Sequence, residues 1–191
     1  TGMPSEFYGA TASLGRGTLH SDSQVFTVIT PENIPAGVRF YWRGRVYDEY
    51  QDGQWSSTLD TTESFDPEQS ELQMPEYQGH LPGFYSFNFT TASPLASVFT
   101  VNQAIWVSRP GRAEFARSAD GSIDLSHFRA SPSLRAGETY TTRSKLSQLT
   151  VASLRQAGSD YPVWITERYL QLPENITPRT RGLAERLTAG L

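Results

Sequence analysis

"GFYSFNFTTA", residues 83 to 92, decides the fold class. Tyr85, Phe87 and Phe89 fall on one side of an extended chain, and Phe84, Ser86 and Asn88 on the other. Successive side chains of a strand point to opposite faces, so this alternation predicts a strand. Outward from it the signal recurs. "SQVFTVIT", residues 23 to 30, crowds β-branched and aromatic residues until Pro31 stops the run. "LASVFTVNQAIWVS", residues 95 to 108, is strand-rich and closes at Pro110-Gly111. "RAEFARSADGSIDLS", residues 112 to 126, reads as a hairpin turning at Asp120-Gly121. "ETYTTRSKLSQLT", residues 138 to 150, reads as a strand with one wet face. Short strands separated by Gly, Pro and Asp-Gly turns predict a mainly β, β-sandwich-like domain.

Residues 38 to 50 also read as one long strand, with rings on both faces. Asp52-Gly53 then signals a tight turn, because a type I′ turn needs positive φ at both central residues. Gln54 to Ser57 would be the return strand. Trp42 and Trp55 are expected as core anchors of that hairpin, and Arg43 and Arg45 as stacked or salt-bridged. Residues 58 to 82 are polar, acidic and proline-containing, with a short strand expected only near Ser70 to Gln73. The character changes at Thr150. Thr150 is a helix N-cap, Val151, Leu154 and Ala157 follow at helical spacing, and Gly158 is a stop. A short helical turn follows in "VWITERYLQLP". Thr177 caps a last helix with Pro178 at its first position and Leu183, Ala184 and Leu187 as its apolar stripe. The organisation is therefore a β-rich domain over residues 1–149 and a short C-terminal helical segment over residues 150–191.

The bulk numbers restrict function. Net charge is −4, from 16 basic and 20 acidic residues spread along the chain, which argues against a nucleic-acid partner. No apolar run is long enough to insert in a membrane. Hydrophobic residues make up 37%, but aromatics reach 12%, and large rings build a core from few residues. Cysteine is absent, so the chain has no disulfide, no thiolate metal site and no cysteine nucleophile.

Candidate chemistry is sparse. Asp48, Asp52 and Gly53 stand in a faintly EF-hand-like order, but the third-position acid and the closing glutamate are missing. His20, His80 and His127 are far apart and form no paired ligand motif. No Gly-x-Ser-x-Gly marks a serine hydrolase, although serines and acids are numerous enough for chance triads. Asp48 and Glu49 are neighbours on a strand and point apart; Asp120 and Asp124 flank a turn and are expected in solvent. "SLGRGT", residues 13 to 18, lacks the lysine of a phosphate-binding loop. Asn88 and Asn175 match the glycosylation sequon in form only. No residue is singled out as catalytic, cofactor-binding or metal-ligating, and no cofactor is expected.

Two ordered phrases carry a resemblance. "YWRGRVYDEYQDGQW", Tyr41 to Trp55, resembles a signature of bacterial membrane-anchored transglutaminase-like proteins. There the segment reads roughly Tyr-Trp-Arg-Gly, then Tyr-Asp, then a Gly-Trp close, in the extracytoplasmic region ahead of the catalytic core. "RYLQLPENITPRTRGLAERLTAG", Arg168 to Gly190, is similar to the family's junction, a Tyr-Leu-x-Leu-Pro phrase followed by the first helix of the core. The resemblance implies a Cys-His-Asp core that attacks an amide through a thiolate. This chain has no cysteine, so no catalytic residue carries over.

The expectation is thus a non-catalytic accessory domain, held outside the membrane by segments beyond this chain. It would position the core, its first partner, or contact protein or cell-wall substrate. The alternative is a carbohydrate-binding β-sandwich using rings such as Tyr47, Tyr50 or Trp55, and a third reading is a hydrolase with an unrecognised acid pair.

Overall fold

A computed structural model describes residues 9, 11–13, 22–59, 61–74, 80–102, 104–119, 121–173 and 175–189. The fold is mainly β, with several antiparallel sheets and three short helices. The strands are β1 (Thr11–Ser13), β2 (Phe26–Ile29), β3 (Trp42–Arg43), β4 (Glu49–Gln51), β5 (Gln54–Ser56), β6 (Thr61–Phe65) and β7 (Tyr85–Thr91). They continue as β8 (Leu95–Ser97), β9 (Thr100–Val101), β10 (Ala104–Val107), β11 (Gly111–Arg117), β12 (Ile123–Leu134) and β13 (Thr139–Ser144). Two four-stranded sheets, β10-β13-β7-β2 and β6-β11-β12-β8, share one core in a sandwich-like arrangement. The alternating stretch of residues 85 to 91 is an inner strand of the first sheet.

The packing follows from that alternation. Phe87 and Phe89 of β7 and Tyr140 of β13 are buried against Ala113, Phe115 and Phe128 of the facing sheet. Phe89 stacks on Tyr140 with centroids 4.9 Å apart and planes 2° from parallel. Phe65 meets Phe128 edge-on at 5.3 Å. The Tyr140 hydroxyl donates to the Phe99 carbonyl at 3.0 Å and accepts from the Phe99 N–H at 3.0 Å, so the one polar atom of that ring is satisfied. Burial pushes its phenol pKa well above the usual value, so it stays a donor at any physiological pH.

Gly111 opens β11 instead of ending the strand before it. A Cβ there would lie 2.2 Å from the Arg129 carbonyl oxygen and 2.7 Å from the Phe128 ring. Glycine therefore permits the close approach of β11 to β12, the most extensively paired strands of the second sheet.

Three sequence expectations are corrected. Residues 38 to 50 are not one strand. The segment changes partner as it runs: Trp42 and Arg43 pair with β9, Arg45 bridges to His127, and Glu49 to Gln51 pair with β5. The acidic stretch has its strand at Thr61–Phe65, not at Ser70 to Gln73. That strand is an edge with only Phe65 buried, so no alternation was needed to hold it. Trp42 and Trp55 are not core anchors. Trp42 is 43% exposed at the rim, edge-on to Phe26, Phe40, Phe87 and Phe89. Trp55 is 36% exposed and lies against Tyr50 on the surface of its own hairpin.

The hairpin itself is as expected. Asp52 has φ 49° and Gly53 φ 81°, and Gln51 pairs with Gln54 across the two-residue turn. The helices are α1 (Val151–Gln156), α2 (Val163–Tyr169) and α3 (Pro178–Thr188). Thr150 caps α1 reciprocally with Ser153, and Thr177 caps α3 through the Thr180 N–H with Pro178 at the start. None of the helices buries a residue, and Leu183 and Leu187 are exposed. Leu191, His20 and Asp120 lie outside the described residues. No helix among the described residues is long and apolar enough to cross a membrane.

Candidate functional site: a polar seam on the outer face of a sheet

The register of β12 makes the seam. Glu114 faces His127 and Phe115 faces Leu125, so Ser126 is an extra residue on β12. Such a bulge turns two consecutive residues to the same side. Leu125 and Phe128 keep facing the core, while Asp124, Ser126 and His127 face outward yet are buried. What covers them is the segment 42–58 and α2. Arg43 donates to the Leu125 carbonyl at 2.8 Å and stands 3.9 Å from Asp124. The Val46 N–H donates to the Ser126 carbonyl at 2.9 Å, and the Ser126 hydroxyl donates back to the Val46 carbonyl at 3.0 Å.

Asp124 is the hub, and its burial corrects the expectation that it is solvated. It is 1% exposed. Arg168 of α2 donates to Asp124 Oδ2 at 2.9 Å, and the Tyr169 hydroxyl donates to the same oxygen at 2.5 Å. Burial, and then the Asp124 carboxylate, hold the Tyr169 phenol pKa far above its ordinary value, so it remains the donor. Arg168 also lies 5.5 Å over the Trp164 ring. Two further bonds close the joint: Gln171 Nε2 donates to the Asp48 carbonyl at 3.0 Å, and Asn175 Nδ2 donates to Asp52 Oδ1 at 3.1 Å.

Asp48 and Glu49 point apart, as neighbours on a strand do. Asp48 is buried and accepts from the Thr58 N–H at 2.7 Å and from the Thr58 hydroxyl. Glu49 accepts from the Ser56 hydroxyl at 2.9 Å and faces two open clefts. One, of about 450 Å³, lies between Glu49, Asp52, Gln171 and Pro173; the other, of about 340 Å³, between Glu49, Trp164, Glu167 and Gln171. The Tyr47 hydroxyl donates to the Gly9 carbonyl. His80 makes a bridge to Ser147 on another part of the surface. Among the described residues no three His, Asp or Glu side chains converge as a metal site. Asn88 Oδ1 accepts from the Thr141 hydroxyl within the sheet.

One arrangement has the outline of a serine hydrolase triad. Ser97 Oγ is 2.9 Å from His127 Nε2, and His127 Nδ1 is 3.6 Å from Glu114. Its chemistry is opposite. Arg45 Nη2 lies 2.9 Å from His127 Nδ1 and 2.7 Å from Glu114 Oε2. Guanidinium only donates, so Nδ1 must accept, and the neutral ring carries its proton on Nε2. The imidazole then donates to Ser97 and has no lone pair with which to deprotonate it. Ser97 and His127 are also sealed from solvent. The cluster is a clamp that fixes Arg45 to the sheet.

This clamp predicts a pH dependence. Burial and then the Arg45 charge lower the His127 pKa below 6.5, against the opposing effect of Glu114. The unfolded chain therefore binds a proton first as pH falls. The stability contributed is fully present above pH 6.5 and is lost progressively as pH falls toward the lowered folded value. Urea denaturation from above pH 6.5 downward should show stability falling with pH, with a shallower slope in His127→Gln. Equal slopes would refute the assignment.

The sequence signal for the seam lay in its spacing. Asp124 and Ser126 stand two apart on one strand, and Arg43 and Arg45 two apart on the segment that covers it. These are complementary polar faces at strand period. Glu114, Ser97, Tyr169 and Thr58 carry no such mark in the sequence. Compared with known proteins, the chain matches no family model, no curated protein and no solved structure.

Proposed function

We propose that this chain is a non-catalytic, extracytoplasmic domain that carries and orients a transglutaminase-like core of a bacterial membrane-anchored protein. One observation supports the reading: the two phrases that resemble that family, 125 residues apart by their arginines, meet in space. Arg43 of the first and Arg168 of the second flank the same Asp124. Gln171 and Asn175 of the second hold Asp48 and Asp52 of the first. A seven-residue helix with nothing buried gains little from apolar packing, so polar bonds hold it. A joint held this way gives the chain after Pro173 a defined exit direction, which is what a mount for a second domain requires. The thiolate step would belong to that domain, since this chain has no cysteine.

Reading the gene onward from Leu191 tests it. A cysteine at a helix start, followed by a histidine and an aspartate, is the expected continuation. A stop codon after Leu191 would remove the reading. The carbohydrate-binding alternative gains little from the hairpin, where the Tyr50 and Trp55 rings are tilted 45° to each other and offer no common flat face.

A further inference from the structure

A groove of about 670 Å³ lies on a different part of the surface from the seam, between the segment 37–41 and the start of the helical tail. This volume is in the range of small-molecule sites. Leu149, Val151 and Leu154 form one wall, and Tyr41 stands opposite. Each is largely solvated, at 54%, 66%, 57% and 72% exposure. The reciprocal Thr150–Ser153 cap orders the first turn of α1. Asn102 holds the floor in a left-handed conformation, φ 49°, with its N–H directed to the Tyr41 carbonyl at 3.4 Å and its own carbonyl accepting from Thr100.

Arg39 is the sole charged residue lining the groove, and no described residue pairs with it. A guanidinium with no described partner beside solvated apolar walls favours an anion with an apolar body. We propose that the groove binds a fatty carboxylate, with its carboxyl on Arg39 and its chain along Leu149, Val151 and Leu154. An acyl chain suits the wall of Leu149, Val151 and Leu154 because it brings no N–H or C=O groups that need partners there. The proposal is independent of the catalytic core.

Titration of the purified chain with decanoate, followed by calorimetry and by NMR shifts of α1 amides, tests it. Saturable one-to-one binding is expected, and at least about tenfold weaker binding of methyl decanoate, since the ester gives up a charge-assisted bidentate contact. Arg39→Gln should lose about the same factor for decanoate and little for the ester. Leu154→Asn should weaken both ligands. Both residues are exposed, so these variants keep the fold, and Arg112→Gln on β11 is a control for general charge. No saturation at millimolar decanoate, equal affinity for acid and ester, or an unchanged affinity in Arg39→Gln would each overturn the proposal.

Discussion

Replacing Asp124 by alanine should lower the stability of the chain by about 3–5 kcal/mol, the usual cost of breaking a buried ion pair. It should also release α2 from the sheet. The carboxylate faces Arg168 at 2.9 Å, Arg43 at 3.9 Å and the Tyr169 hydroxyl at 2.5 Å. Its removal takes from Arg168 and the Tyr169 phenol the acceptor they share, and from Arg43 the carboxylate beside it. Asp124→Asn keeps the shape and one acceptor oxygen, so it should cost less and keep α2 in place. Urea denaturation gives the energies, and hydrogen exchange of the α2 amides reports the release. If the alanine variant exchanges at α2 as the parent does, Asp124 is not what fastens the helix. Loss at α2 without global unfolding would fit the seam being a separate, weaker unit of the fold.

Phe89→Ala should cost about 3–5 kcal/mol by transfer and cavity terms, and Trp55→Ala less than about 1 kcal/mol. Phe89 is fully buried between Phe26, Trp42 and the stacked Tyr140. Trp55 is on the hairpin surface with Tyr50 as its ring partner. Comparison of the two midpoints at equal m-value tests which rings make the core. Similar losses for both would mean that the hairpin, not the inner strand, anchors the sandwich.

The same pair shows what the chain discloses of itself. Phe89 was legible because its neighbours alternate, and burial on one face is a local, period-two signal. The place of Trp55 is not legible, because a large ring in a strand is compatible with the core or with the rim, and no local pattern distinguishes them. The burial of Asp124 is hidden for a related reason. It follows a turn in sequence, where solvent is the usual environment, but residues 43 and 168 cover it from far along the chain. The chance triad at Ser97, His127 and Glu114 was equally invisible, and so was the Arg45 contact that reverses its hydrogen bonding.

Elements with local causes are legible in the chain: the one-sided strands, the Asp52-Gly53 turn, the Thr150 and Thr177 caps and the shift from strands to helices. Each depends on backbone geometry and side chains within a few residues. Where the segment 38–50 changes partners, which polar residues are buried and how the helical tail is fastened emerge only in the folded chain. Those outcomes depend on pairings between distant residues, and one bulged residue, Ser126, sets which side chains of β12 reach them.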